Sequence, residues 1–305
     1  MTTEPTSGPP ADLPEAAVRR LGSGSFSSGL SVPDFAACLQ MGLRPVGLVQ
    51  GFCVMSSGWY GAGSPYGRGV NPYAPAGGTY SESWRCPHGF VSMEHRTWGQ
   101  NYQQPWVESS WSTGFGSAHA RMVEEAREAG AHGVVGVVDR TRQLTDAAVT
   151  EHHLLGTAVV LVDEPLPGDL EPFTTYLAGQ RLAKLVEAGY VPVSVVASLA
   201  SVRVWASCIT EMLMEGLAST WGSATGSVQE VEQVSRAHEA VRTLAREDVR
   251  RQLGPDMLHG ASIAAVEREL GAGDLVVDCT LRGTRVRRFK DFDPMPPPRP
   301  TVRLT

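Results

Sequence analysis

The residues best suited by type to chemistry are Cys86 and His88, with His95 following and His119 further on. Thiolates and imidazoles are what soft or borderline metals require. Cys86-Pro87-His88, with a histidine seven residues later, would bring three ligands into one loop. A closed structural zinc site needs a fourth, and His119 is the remaining candidate, so a divalent metal is the cofactor to test. Neither a CxxC pair nor an HExxH helix supports the set. His152-His153 precede a β-rich run, and adjacent strand residues face opposite ways, so they cannot both serve one ion; a partly exposed pair is expected. His259 stands before Gly260 where Val135 stands before Gly136, a place for a seam or a backbone partner. Gly22-Ser23-Gly24-Ser25 runs into Phe26 and lacks the frame of a nucleophile elbow. The glycines between Gly58 and Gly69 lack the lysine and the following helix of a phosphate cradle. Arg282, Arg285, Arg287, Arg288 and Lys290 form a basic strand end with Arg285 and Arg287 on one face, which reads as a solvated or interface edge. With no acid, base and nucleophile grouped at recognisable spacing, no enzyme is expected.

What must position these residues is a sequence that repeats itself. Phe26-Ser27-Ser28-Gly29-Leu30 returns 147 residues later as Phe173-Thr174-Thr175-Tyr176-Leu177. Leu39, Gly42, Pro45, Val46 and Val49 return as Val186, Gly189, Pro192, Val193 and Val196. At shorter offsets Ala120-Arg121 matches Ala245-Arg246, and Leu154–Val159 matches Leu281–Val286. Repeats of this length point to two copies of one domain of roughly 120 to 140 residues. The repeat also weighs against an intrinsic metal site. Cys38 corresponds to Leu185 and Cys53 to Ala200, so neither thiol is duplicated.

Each copy opens with a helix. Ser31 and Asp34 have capping-box spacing, Pro33 suits the first turn, and Gly42 suits a left-handed cap. The run Pro45–Met55 follows as a strand. A second helix is expected over about Ala118–Ala129 in copy one and Val228–Leu253 in copy two. In the latter, Val231, Val234, His238, Val241 and Ala245 form a stripe that suits packing on a sheet. Two strands close each copy, Gly133–Val138 and Leu154–Val162, then Leu258–Ala264 and Leu275–Phe289. Ala158–Val162 reads as buried on both faces. The result is α+β, two small α/β sandwiches with the helices on one sheet face.

The expected organisation is a Pro/Gly/Ser-rich arm over 1–25, a first domain over 26–163, a Pro-rich linker over 164–172, a second domain over 173–292 and a Pro-rich tail over 293–305. Residues 56–117 read as one long loop holding five of the seven tryptophans and five of the seven tyrosines. Such a loop suits a protein partner or packing on its own sheet, and the tail reads as a plain disordered terminus, with docking in an aromatic groove as the alternative. A net charge of −6 argues against nucleic acid. No apolar run reaches membrane-spanning length, no signal peptide is visible, and five scattered cysteines do not make a disulfide framework. A cytoplasmic location is expected.

Leu30–Phe35, Met41–Val49, Ala120–Ala126, Gly130–Val137 and Leu155–Val159 together resemble the YbjQ family, which carries a heavy-metal-binding label. The resemblance covers most of 26–162 and 173–290 and is weaker in copy two, where Leu258-His259-Gly260-Ala261 replaces a Val-Val-Gly-Val pattern. It implies a dodecin-like subunit that assembles into pentameric rings, and no reaction. The function expected is therefore a non-enzymatic, ring-type homo-oligomer. The alternative is a heavy-metal-binding or metal-sensing protein using the Cys/His loop of the first domain.

Overall fold

The computed structural model describes residues 26–56, 101–145, 149–162, 171–204, 232–269 and 275–290. In chain order these form α1 (Val32–Gln40), β1 (Leu43–Ser56), β2 (Asn101–Gln103), α2 (Pro105–Glu128), β3 (Gly133–Thr145) and β4 (Val149–Leu161). They continue as β5 (Phe173–Thr174), α3 (Gly179–Glu187), β6 (Tyr190–Val204), α4 (Glu232–Leu253), β7 (Met257–Glu269) and β8 (Leu275–Arg288). The class is α+β as expected. Among the described residues, sheet one has the order β1-β4-β3-β5 and sheet two β2-β6-β8-β7. Among the described strands, β3 and β5 alone pair in parallel.

The sequence repeat has a matching set of backbone devices. All six described glycines with positive φ fall into three pairs: Gly42 and Gly189, Gly130 and Gly254, Gly136 and Gly260. The first two pairs follow helices, where a residue without Cβ adopts the left-handed cap at no steric cost. The third lies in a bulge that recurs as well, between Val135 and Val138 and between His259 and Ser262. A second bulge recurs at Pro45/Gly47 and Pro192/Ser194. The Ser31 cap forms as the spacing suggests: its hydroxyl accepts the Asp34 N–H at 3.3 Å and donates to the Asp34 carboxylate at 2.6 Å.

Each sheet also takes a strand from the other half of the chain. β5, from the start of the second repeat, pairs with β3, and β2, from the first, pairs with β6. These exchanges join the halves.

Several expectations change. α2 begins at Pro105, so residues 101–117 are a short strand and a helix and not loop; residues 57–100 lie outside the described residues. Trp111, Phe115, Ala118, Met122 and Ala126 form one buried stripe on α2 against Val49, Cys53 and Leu154. That packing overrides the weak helix propensity of the Ser- and Gly-rich segment around it. β3, β4 and β7 run beyond their expected ends because β3–β4 and β7–β8 continue as long antiparallel ladders. Helices lie on both faces of sheet one and not on one. Val134 and Ala158 join the α2 cluster, while their neighbours Val135 and Val159 join Cys38 of α1 and Leu182 and Leu185 of α3. The apolar run starting at Ala158 leaves the core at its end, where Leu161 and Val162 are exposed. α4 does pack on a sheet, through Ala237, Val241, Ala245 and Val249 against β6 and β8. No described helix is long and apolar enough to cross a membrane.

Candidate functional site: the seam between the halves and the open edge

Of the four candidate metal ligands, Cys86, His88 and His95 lie outside the described residues. His119 sits within α2, in the part expected to be helical. Its Nε2 is 2.9 Å from the Thr174 hydroxyl, which also accepts the Val195 N–H at 2.9 Å. Burial lowers the His119 pKa to about 4. A neutral imidazole is thus held against β5, as a tie between the halves. No group of three or more His, Cys, Asp or Glu at metal-binding geometry occurs among the described residues. Cys38, Cys53 and Cys279 are buried free thiols. The Cys38 thiol is pushed up to about 11, first by burial and then by Asp34, and the Cys279 thiol is raised by burial.

His152 corrects the picture of a partly exposed histidine pair. It is fully buried, edge-on to Trp111 at 5.4 Å between ring centroids, and burial lowers its pKa. His153 points the other way, with its Nε2 3.2 Å from Gln50 Oε1 and its ring against Phe52.

Around His152 the structure gathers residues from both halves. The Thr141 hydroxyl donates to Asp139 Oδ1 at 2.7 Å and lies 3.4 Å from His152 Nδ1. Asp139, almost wholly enclosed, meets Arg282 of β8 at 3.2 Å. Tyr176 completes the group. Burial raises its pKa, and Asp139 adds to the rise. Neither the Tyr176 hydroxyl nor His152 Nε2 has a hydrogen-bond partner among the described residues. A neutral imidazole, a protonated phenol and an internally neutralised ion pair form a cross-seam tie. Sequence reasoning placed Arg282 on a basic edge and missed Asp139 and Tyr176. The signal lay in the repeat: Arg282 stands at the place of Leu155, Tyr176 at that of Gly29, and Asp139 at that of Ile263.

The rest of the basic edge is also engaged within the chain. Arg285 and Arg287 both bind the Asp256 carboxylate, at 2.5 and 2.9 Å. The Arg287 hydrogen bond first, then that of Arg285, hold Asp256 at about 2 against the opposing effect of burial. A cleft of about 260 Å³ between α2 and α4 includes Glu108, Ser198, Glu247, Asp248 and Arg251 in its lining. Glu108 there is already committed to the Ser201 N–H and to Gln103.

Among the described residues, a sheet edge is left without an internal partner. β3 and β7 are repeat counterparts. β3 is covered by residues 173–177 through Phe173 N–H to His132 O (3.1 Å), Thr175 N–H to Val134 O (2.9 Å), Gly136 N–H to Leu177 O (3.0 Å) and Val137 N–H to Thr175 O (2.9 Å). β7 is the outermost strand of sheet two, and no described strand lies along its far side. Met257, Ile263 and Val266 on it are 44%, 44% and 56% exposed, and His259 is exposed beside them. At the other end, β1 is the outer strand of sheet one and exposes Phe52 and Val54. A long, apolar, unprotected edge is a template for another chain. Comparison with protein-family models, with curated proteins and with solved structures finds no match to this chain.

Proposed function

We propose that this chain is a non-enzymatic, self-assembling subunit of YbjQ-like type, built from two tandem α+β units and joined to further copies through its sheet edges. The observation that carries it is the contrast between β3 and β7: one copy of the edge is capped inside the chain, and its counterpart has no described strand beside it. Closed symmetric assemblies are the usual way to cover such edges. The buried tie of His152, Asp139, Arg282 and Tyr176 holds the two units in one orientation, which an ordered assembly needs and an open catalytic pocket does not.

Native mass spectrometry of the purified protein, with and without chelator, tests this. A closed oligomer of unchanged mass in chelator supports it. A single-chain mass at micromolar protein overturns it, and an oligomer that falls apart in chelator replaces it with a metal-dependent one.

A further inference from the structure

We infer that the β7 edge receives residues 26–30 of a second copy of this chain, in the parallel register that β3 uses for residues 173–177. This rests on the self-assembly proposed above and specifies its partner segment. Three observations support it.

The first is that the donor segment already has the right shape. In the capped junction the Thr175 hydroxyl lies 3.1 Å from that of Thr284, the Tyr176 N–H donates to Thr284 Oγ1 at 3.2 Å, and the Leu177 N–H donates to Thr175 Oγ1 at 3.0 Å. Residues 28–30 repeat all three bonds. The Ser28 hydroxyl lies 3.3 Å from that of Thr157, the Gly29 N–H donates to Thr157 Oγ1 at 3.1 Å, and the Leu30 N–H donates to Ser28 Oγ at 3.1 Å. The segment is folded for an edge that no described strand of this chain supplies to it.

The second is that the acceptor has the same local form. Gly136 and Gly260 share a positive φ, 61° and 66°, inside matching bulges. In the capped edge this bulge directs the Gly136 and Val137 N–H groups to Leu177 and Thr175. By the same placement, the Gly260 and Ala261 N–H groups would meet the carbonyls of Leu30 and Ser28 from the second copy. Phe26 would lie opposite Met257, as Phe173 lies opposite Gly133.

The third is direction. The internal junction joins the edge of one repeat to the leading segment of the next, so it is head-to-tail. Repeating it between chains gives a heterologous contact, which closes into a ring when the rotation permits. Two side chains distinguish the second junction from the first. A Cβ at Gly133 would meet the Phe173 ring at 2.3 Å, and Met257 occupies that place in β7. A Cβ at Gly179 would meet Asp34 O at 2.0 Å, and Val32, 84% exposed, is its counterpart. The junction between chains is therefore wider at both points than the one within a chain.

The test is a cysteine pair in the full chain, Phe26→Cys with Met257→Cys, oxidised and run without reductant. Both positions are exposed, so neither substitution opens the core. The expected result is a ladder of covalent multimers, absent from Phe26→Cys with Ala264→Cys, whose register is wrong. Separately, Ala261→Pro removes the N–H assigned to Ser28 O and should weaken assembly about tenfold or more while the chain stays folded by circular dichroism. If the proline variant fails to fold, the cysteine ladder still decides. A ladder from Phe52→Cys with Ile263→Cys instead would seat β1 on β7 and overturn the inference. An oligomer in which the two register pairs cross-link equally would overturn it too, leaving self-assembly standing. A wild-type protein that is a single chain in solution removes both.

Discussion

Acidifying this protein should destabilise it between pH 6.5 and 4, and His119 should account for a measurable share. Its folded pKa is about 4 against an ordinary 6.5, because burial disfavours the imidazolium. Between those values the unfolded chain binds the proton that the native chain refuses, so stability rises with pH across the window and is lost as pH falls. The gap corresponds to a ceiling of about 3 kcal/mol at about 1.4 kcal/mol per pH unit. The residue keeps part of its surface in contact with solvent, so about 2 kcal/mol is the working figure. Against a domain stability of about 5–15 kcal/mol this is large. Urea titrations at pH 7.0, 5.5 and 4.5, at fixed protein concentration, would compare wild type with His119→Gln, which retains a polar group near Thr174 and does not titrate. The variant should lose about 2 kcal/mol less than wild type between pH 7.0 and 4.5. Equal losses in the two proteins would refute the assignment. His152, whose pKa is lowered in the same direction by burial, should add to the slope that remains.

Asp256 works in a separate window. Its folded pKa of about 2 lies below the ordinary 3.8, so its stabilisation is present above pH 3.8 and lost as pH falls through 2; Asp256→Asn should flatten the melting-temperature profile between pH 4 and 2 and leave the slope above pH 4 unchanged. Met122 has no exposed surface, so Met122→Ala should cost about 2–5 kcal/mol in urea unfolding at pH 7. A Cβ at Gly51 would fall 1.7 Å from Ala118 O, so Gly51→Ala must push α2 off β1, lowering the melting temperature by more than an exposed Gly116→Ala. Cys38 should resist an aromatic disulfide reagent in the native protein at pH 8 and react once urea unfolds it, since burial and Asp34 hold its thiol at about 11.

The parts of the fold that were legible in the sequence were local or duplicated. Ser31 and Asp34 revealed a cap because the bond spans three residues, and Gly42 and Gly189 revealed helix ends because a positive φ favours glycine. The α2 stripe from Trp111 to Ala126 was there to be read at steps of three and four, but its serines and glycines concealed it. The strand exchanges β3–β5 and β2–β6 left no local trace, since a pairing across the repeat depends on packing between distant segments. The burial of His152 was hidden for the same reason: Trp111, which covers it, stands on a helix that the composition disguised. The seam became visible only when one copy was compared with the other, where a charged, phenolic or acidic side chain replaces a leucine, glycine or isoleucine.

The capping of β3 by β5 also sets how the protein responds to dilution. That junction is closed within one polypeptide, so its formation depends on an effective local concentration fixed by the connecting residues and not on how much protein is present. In the proposed assembly, only the contacts at β7 would obey mass action. On dilution an assembly would come apart at every second junction and stop there, leaving two-unit bricks whose internal junction stays shut. In one-unit chains every junction would be open to dilution.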